Sequence, residues 1–188
     1  MKKIGITGSI ASGKTTASKI LSLKRGPLFS ADKIVKDLYL NKAFKELIIK
    51  EFDIKKNFGL KNFLKKKILN NNSNIKKLEK LVHPLVRRKM KQFSKINKNK
   101  KMAFFEIPLL IENKLMSFFD IIIFIKARRT TRLKRFVLKG GERKLFNILN
   151  KKQIPDARKI KFCNHIVVNE KNIKVLKKNL LGIINQYV

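Results

Sequence analysis

Apolar residues follow two patterns along the chain. Short continuous runs, such as residues 121–125 (IIIFI), are typical of strands that are buried on both faces of a parallel sheet. Longer stretches, with apolar residues three and four positions apart, predict amphipathic helices. The predicted strands cover 2–7, 28–30, 101–106, 120–125 and 165–168. Because helical stretches alternate with these strands, the pattern predicts an α/β fold with a parallel sheet.

The predicted helices are interrupted by prolines and by a glycine pair. They cover 14–24, 31–40, 42–52, 63–69, a stretch from about 75 to 93, 130–138, a stretch from the glycine pair at 140–141 to about 162, and 173–187. Pro84 predicts either a kink or the start of a new helix, because proline lacks a backbone N–H. Pro155 interrupts the stretch that ends near 162.

A glycine-rich turn directly follows the first predicted strand. Residues 8–15 (GSIASGKT) fit the pattern G-x-x-x-x-G-K-[ST] at every fixed position, and a predicted helix follows. Gly8 and Gly13 allow backbone conformations in which successive N–H groups converge on phosphate oxygens. Lys14 would reach the β- and γ-phosphates, and the Thr15 hydroxyl would coordinate Mg²⁺. The turn predicts a nucleotide and a metal, without distinguishing a kinase from another NTPase.

Asp32 follows the second predicted strand. Residues just past the carboxyl ends of parallel strands face the crevice where ligands bind. A carboxylate there can orient an acceptor hydroxyl and accept its proton during phosphoryl transfer. Asp is also common as the N-cap of a helix, and position alone leaves both roles open.

Lysine dominates the charged residues. The 188-residue chain has 47 Lys and Arg against 12 Asp and Glu, a net charge of +35, which suggests a nucleic-acid ligand. Lys outnumbers Arg by 38 to 9, however, and the lysines are spread along the whole chain without an aromatic RNA-binding motif. Lys, Ile and Asn, which A/T-rich codons encode, make up 79 residues. Base composition therefore explains most of the charge, and we expect no specific nucleic-acid partner.

The rest of the composition narrows the class of protein. Cys163 is the single cysteine, which excludes a disulfide framework and a multi-cysteine zinc site. No apolar run approaches the roughly 20 residues of a membrane span. Polar residues and glycines interrupt the first ten positions, which do not resemble a signal peptide. We therefore expect a cytoplasmic protein without a membrane partner.

Taken together, the motifs resemble those of the dephospho-CoA kinase family over nearly the whole chain. The matching segments are 7–15 (TGSIASGKT), 30–32 (SAD), 83–87 (HPLVR), 106–112 (EIPLLIE), 132–135 (RLKR) with Lys139, and 163–169 (CNHIVVN). The HPLVR and PLLIE segments make the resemblance specific. It implies an adenylate-kinase-like P-loop fold. It also implies transfer of the ATP γ-phosphoryl group to the ribose 3′-hydroxyl of dephospho-CoA, with Mg²⁺ as the cofactor and CoA and ADP as products.

The resemblance also implies a role for each motif residue. Asp32 would be the general base, while Lys14 and Arg135 would stabilise phosphoryl charge. The residues expected to bind ATP are Gly8, Ala11, Ser12, Gly13, Lys14, Thr15, Thr16, Lys139 and Asn169. The residues expected to bind the acceptor are Asp32, His83, Arg87, Pro108, Leu109 and Leu110. Thr15 is also the expected metal ligand.

The chain departs from the family motifs at several positions. Ser9 and Ala11 replace glycines beside the phosphate loop, and Ser30 replaces the first Asp of D-A-D. The other substitutions are Glu106 for Asp, Arg132 for Gln, Lys139 for Arg and Asn164 for Asp. Lys139 keeps the positive charge but lacks the planar bidentate contact of Arg, which would weaken closure of a lid.

The resemblance divides one domain into a core, an insertion and a lid. The core covers 1–40, 101–127 and 161–188, a helical acceptor-binding insertion covers 41–100, and a small lid covers 128–160. We expect a monomer or a weak homo-oligomer. The rival hypotheses are another small-molecule P-loop kinase, acting on a nucleoside, nucleotide or shikimate-like acceptor, and a basic nucleic-acid-binding NTPase.

Overall fold

The computed structural model describes residues 1–54, 60 and 73–187, and the helix predicted at 63–69 lies outside them. Within the described residues, five strands form one parallel sheet. They are β1 (Lys2–Gly8), β2 (Leu28–Ser30), β3 (Met102–Glu106), β4 (Ile121–Lys126) and β5 (His165–Val168). All five predicted strands are confirmed, with bounds that differ by no more than one residue. The α/β fold class is confirmed with them.

The strand order determines which polar residues come together. The strands lie in the order β2-β3-β1-β4-β5, so the first strand is central. In the register, Ile6 of β1 pairs with Glu106 of β3 and with Ile123 of β4, and Ser30 of β2 also pairs with Glu106. The carboxyl ends of β1, β2 and β3 therefore meet at one edge, where ligands bind in open α/β sheets.

Helices connect the strands in the described residues, except that β3 and β4 are joined by turns and a short 3-10 helix, Met116–Phe118. The α-helices are α1 (Lys14–Ser22), α2 (Ala31–Leu38), α3 (Lys42–Phe52), α4 (Ser73–Ile96), α5 (Arg129–Leu138), α6 (Arg143–Lys152), α7 (Asp156–Ile160) and α8 (Ile173–Ile184). Helix α4 continues through Pro84 for 24 residues, so the alternative in which Pro84 starts a new helix is wrong. The break at Pro155 is confirmed, because α7 begins directly after it.

Asparagine side chains cap the N-termini of two of the helices. The Asn41 side chain accepts a hydrogen bond from the Phe44 N–H, 3.0 Å away, at the start of α3. The Asn172 side chain accepts one from the Val175 N–H, 3.1 Å away, at the start of α8. Each satisfies an N–H that has no partner within its own helix, which fixes the residue at which the helix begins.

The chain divides into two compact units, one formed by Met1–Ser30 with Phe93–Val188 and the other by Ala31–Gln92. In the first unit, α1 and α8 pack on the sheet through a fully buried core that includes Ile4, Ile123 and Leu180. The second unit has its own apolar core. Its buried members are Phe44, Ile48, Phe52, Ile54 and Val82. None of the described helices has the length and apolar character needed to cross a membrane.

Candidate active site

Two glycines shape the backbone of the phosphate loop between β1 and α1. Gly13 lies just before α1 with a φ of 98°, and a Cβ at this position would lie 2.2 Å from the Asn169 side-chain nitrogen. Gly8 ends β1, and a Cβ there would lie 2.4 Å from the carbonyl oxygen of Ile125. The loop therefore requires glycine at both positions, for conformation and for space. This arrangement leaves the N-terminal end of α1 facing the loop, where an anion is stabilised.

Ala11 adopts a left-handed conformation in the same loop. Its φ is 58°, in a region that non-glycine residues rarely occupy. The family motif has glycine here, so the substitution introduces strain of about 1–2 kcal/mol rather than a new contact. The shape of the loop is thus kept even where its residue type has changed.

Lys14 and Ser12 are two of the buried polar side chains of the loop. The Lys14 side chain is 7% exposed, and its ammonium donates a hydrogen bond to the Ser9 carbonyl over 3.0 Å. The Ser12 hydroxyl is buried and has no hydrogen-bonding partner within the described part of the chain. A buried hydroxyl of this kind fits an oxygen-rich ligand in the loop.

Glu106, at the end of β3, collects hydroxyl groups next to the loop. One carboxylate oxygen accepts from the Thr15 hydroxyl over 2.5 Å. The other accepts from the hydroxyls of Ser30, over 3.0 Å, and Ser18, over 3.4 Å. The Glu106 side chain is only 1% exposed, so its charge is stabilised mainly by these hydroxyls. Two departures from the family motifs, Glu106 in place of Asp and Ser30 in place of Asp, therefore lie in one hydrogen-bonded cluster.

Arg135 and Asn169 also hold the phosphate loop through hydrogen bonds. The Asn169 side-chain amide donates to the Ser12 carbonyl over 2.9 Å. The Arg135 guanidinium donates to the Asn169 carbonyl over 3.0 Å and to the Ser12 carbonyl over 3.4 Å. A positive charge is thereby fixed beside the phosphate loop. Thr16 and Lys139 are both exposed, the first on α1 and the second directly after α5.

The segment after β3 contains the three apolar residues expected to bind the acceptor. The Thr7 hydroxyl donates to the Pro108 carbonyl over 3.3 Å, which ties the segment to β1. Pro108 and Leu109 are partly exposed, whereas Leu110 is fully buried against Gly5. Leu110 is therefore a core side chain in this structure, while its two neighbours retain accessible surface.

The unit Ala31–Gln92 contains the other residues expected to contact the acceptor. Asp32 is exposed in the first turn of α2, two residues after Ser30. His83 is half-buried on α4, and Glu79 and Arg87 lie one helical turn away on either side. Burial lowers the pKa of His83, Glu79 raises it, and Arg87 lowers it further, with burial the largest influence.

A bound metal would find few protein ligands here. Among the described residues, no cluster of three or more His, Cys, Asp or Glu side chains could hold a metal ion. The Thr15 hydroxyl and the Glu106 carboxylate are adjacent oxygen ligands beside the loop. This small set fits a Mg²⁺ ion that arrives with a nucleotide, because Mg²⁺ keeps several waters and shares phosphate oxygens.

The family model of dephospho-CoA kinase matches residues 2–175. The chain belongs to the dephospho-CoA kinase family. This family phosphorylates dephospho-CoA to form coenzyme A, the last step of coenzyme A biosynthesis. It uses ATP and generally needs a divalent metal. The chain is accordingly an enzyme, a kinase, and its sheet and phosphate loop form a P-loop kinase fold.

Relatives match over almost their full length. Dephospho-CoA kinase from Bartonella quintana is 34% identical over 189 residues, covering 98% of this chain and 97% of that protein. The structure of dephospho-CoA kinase from Campylobacter jejuni is similar with a TM-score of 0.68 at 27% identity, covering 99% of this chain and 97% of that one. The structure of TT1252 from Thermus thermophilus is similar with a TM-score of 0.79 at 25% identity, covering 100% and 98%.

Two residues to which the sequence motifs assign no role, Glu106 and Ser18, lie in the hydrogen-bonded cluster beside the phosphate loop. Glu106 was identified only as a conservative replacement in a motif, yet it binds the hydroxyl of the expected metal ligand. Ser18 lies one turn after the loop on α1, where nothing in the local pattern marks it. The available signal was the polar end of an otherwise apolar strand, because buried carboxylates require partners.

Proposed function

We propose that this protein transfers the γ-phosphoryl group of ATP to the ribose 3′-hydroxyl of dephospho-CoA, with Mg²⁺ as its metal. The observation that carries the proposal is the hydrogen bond between the Thr15 hydroxyl and the Glu106 carboxylate, one residue from the buried Lys14. A hydroxyl, a carboxylate and an ammonium at the end of a parallel sheet are the groups that a Mg²⁺–nucleotide needs. Membership of the family supports dephospho-CoA as the acceptor.

The loop would bind the nucleotide mainly through charge and backbone donors. The backbone N–H groups of residues 8–15 would hold the phosphates, and Lys14 would neutralise the β- and γ-phosphate oxygens. Thr15, supported by Glu106, would hold Mg²⁺, which shields negative charge on the phosphates when it is bound. Arg135 retains further N–H donors beyond those that fix it to Ser12 and Asn169, and these would stabilise the transferred group.

The acceptor would be oriented by residues outside the loop. Asp32 would accept the proton of the 3′-hydroxyl as the new bond to phosphorus forms. His83 and Arg87 share one face of α4, which supports a joint role toward the acceptor and its phosphates. Pro108 and Leu109 would provide the apolar wall, with Leu110 behind them. Lys139 and Thr16 remain predicted ATP contacts.

An assay of ADP release with dephospho-CoA, confirmed by detection of CoA, tests the reaction. We expect turnover that requires a divalent metal, and we expect Asp32→Asn to lower kcat by about 10²–10⁴-fold while ATP still binds. Asp37→Asn is the matched control, because Asp37 is an exposed carboxylate on the same helix. Turnover with a nucleoside or shikimate-like acceptor but none with dephospho-CoA would overturn the proposed acceptor. Full activity of the Asp32 variant would remove Asp32 as the base.

We further propose that the enzyme works in the cytoplasm as a monomer or weak homo-oligomer, without a specific nucleic-acid partner. Its surplus lysines would attract polyanions only through charge, so any oligonucleotide binding should weaken steeply with salt and lack sequence preference. Titration with oligonucleotides at low and physiological salt tests this point. Sequence-selective binding that persists at physiological salt and stimulates ATP hydrolysis would favour the nucleic-acid-dependent NTPase instead.

A further inference from the structure

The segment of residues 153–159, here called the strap, is bonded to the phosphate loop. The Gln153 side-chain oxygen accepts a hydrogen bond from the Ile10 N–H over 2.8 Å. The Asp156 carboxylate accepts another from the Ser9 hydroxyl. The Ser9 side chain is 3% exposed, so the second bond is largely shielded from water. Two consecutive residues of the loop are therefore held by two residues of the strap.

Arg132 completes these contacts from α5. Its guanidinium donates to the Ile10 carbonyl over 3.4 Å and to the Asn150 side chain over 2.7 Å. The Arg132 side chain is 6% exposed and stacks over the Phe146 ring at 5.8 Å. Burial lowers the pKa of Arg132, and the nearby charge of Asp156 raises it. Arg132 and Asp156 therefore contact neighbouring residues of the loop, Arg132 at the Ile10 carbonyl and Asp156 at the Ser9 hydroxyl.

A buried ion pair anchors the far end of the strap. The Lys159 ammonium lies 2.6 Å from a Glu112 carboxylate oxygen, and the Lys159 side chain is fully buried. The same carboxylate oxygen accepts from the Ile154 N–H over 3.3 Å. Glu112 follows β3 by six residues and thus belongs to the segment after the sheet edge. The strap is held at both ends, which makes it a rigid support for the loop.

Ser9 links the strap to the lysine of the phosphate loop. The Ser9 carbonyl accepts a hydrogen bond from the Lys14 ammonium, so the position of Ser9 restrains where that charge lies. We propose that Asp156 is a positioning residue for ATP binding, which fixes Ser9 and thereby the Lys14 ammonium. Gln153 and Arg132 hold Ile10, the next residue, in the same way. The proposal rests on the proposed contact between Lys14 and the ATP phosphates.

Direct measurement of ATP binding, without the acceptor, tests the role of Asp156. We expect Asp156→Ala to weaken ATP binding about tenfold, because the Ser9 hydroxyl loses a charged acceptor. Asp156→Asn keeps an oxygen acceptor for that hydroxyl and should restore most of the affinity. Arg158→Ala is the matched control, since Arg158 is exposed on the same short helix. In turnover, the KM for ATP should rise while the KM for dephospho-CoA stays within about twofold.

A double-mutant cycle separates positioning from general destabilisation. Ser9→Ala removes the partner of the same hydrogen bond, so the Ser9→Ala/Asp156→Ala variant should bind ATP no more weakly than the weaker single variant. Additive losses, or an unchanged ATP affinity in both single variants, would overturn the proposal. An equal rise in both KM values together with a lower Tm would also overturn it, in favour of a merely structural role. A wrong acceptor would instead show as missing turnover in the parent protein, and the binding comparison would still decide the role of Asp156.

Discussion

The phosphate loop and the unit Ala31–Gln92 hold their proposed site residues in different ways. In the loop, Lys14 is buried and hydrogen-bonded to the backbone, and the Thr15 hydroxyl binds a buried carboxylate. In the unit Ala31–Gln92, Asp32 and Arg87 are exposed on helices whose buried residues are apolar. The loop therefore forms its geometry before a ligand arrives, whereas the helical residues present charge on a surface.

This difference predicts different responses to substitution. A change in the loop region alters a network of buried polar contacts, so it should affect phosphoryl transfer and the metal requirement. A change at an exposed helical residue removes one contact and leaves the fold nearly intact. Kinetic experiments should therefore separate the two regions. Substitutions in the loop should change kcat and the KM for ATP, whereas substitutions of the proposed acceptor-binding residues His83 and Arg87 should change the KM for dephospho-CoA.

Among changes in the loop region, Glu106→Gln should produce the largest effect. The substitution removes the negative charge that the hydroxyls of Thr15, Ser18 and Ser30 now contact, and it replaces one accepting carboxylate oxygen with an amide nitrogen that can only donate. We expect kcat to fall by about 10²-fold and the Mg²⁺ concentration needed for half-maximal activity to rise. A magnesium titration of the steady-state rate measures both.

Asp120→Asn provides the control for loss of a carboxylate. Asp120 accepts a hydrogen bond from the Lys3 N–H over 2.6 Å, just before β4, far along the sheet from the edge that carries Glu106. Its variant should keep the metal dependence of the parent protein. An unchanged metal requirement in the Glu106 variant would show that Glu106 supports only the fold.

Glu106 illustrates which parts of the candidate site could be predicted from the sequence and which could not. The phosphate loop is a local pattern, so residues 8–15 were identified without knowledge of the fold. The role of Glu106 depends on β3 lying between β2 and β1, and this order is set by packing of the whole sheet. The contact of Ser9 with Asp156 joins residues 147 positions apart, which no local spacing could indicate.

Short strands and helices were predicted well because each has a clear apolar pattern. The runs at β3 and β4 are buried along nearly their whole length, as the continuous apolar sequence predicts. Pro84 was harder to interpret, because a proline inside a long amphipathic stretch permits several outcomes that only tertiary packing decides. Leu110 shows a similar limit, since a motif leucine can face a ligand or the core.

Arg87→Ala should affect binding of the acceptor rather than binding of ATP. Arg87 is exposed on α4, so its removal should leave ATP binding unchanged while the KM for dephospho-CoA rises about tenfold through loss of a phosphate contact. Arg88→Ala, at the next exposed position, is the matched control and should leave both KM values near those of the parent protein. Steady-state kinetics with each substrate varied in turn would reject the assignment if the two variants behave alike.

Ala11→Gly should have a smaller effect, on stability in the loop. Relief of the left-handed conformation, with its φ of 58°, favours the variant, and the greater freedom of glycine in the unfolded chain opposes it. We expect the free energy of unfolding to rise by about 0.5–1 kcal/mol, as measured by urea denaturation. Ala17→Gly, a buried alanine in the α1 interior, is the control and should lower the stability instead.

The smallest expected effect is a pH dependence in the unit Ala31–Gln92. Burial holds the pKa of His83 below its ordinary value of 6.5, with Glu79 opposing and Arg87 adding to the shift. The unfolded chain therefore takes up the proton first as the pH falls, and stability is lost through the pH range just below 6.5. His83→Gln should reduce the difference in stability between pH 7.5 and about pH 5.5, and Glu79→Gln should enlarge it. Urea denaturation at the two pH values measures these differences. An equal difference in stability for the parent and His83→Gln proteins would show that water solvates the protonated imidazole of His83 in the folded protein as well as in the unfolded chain.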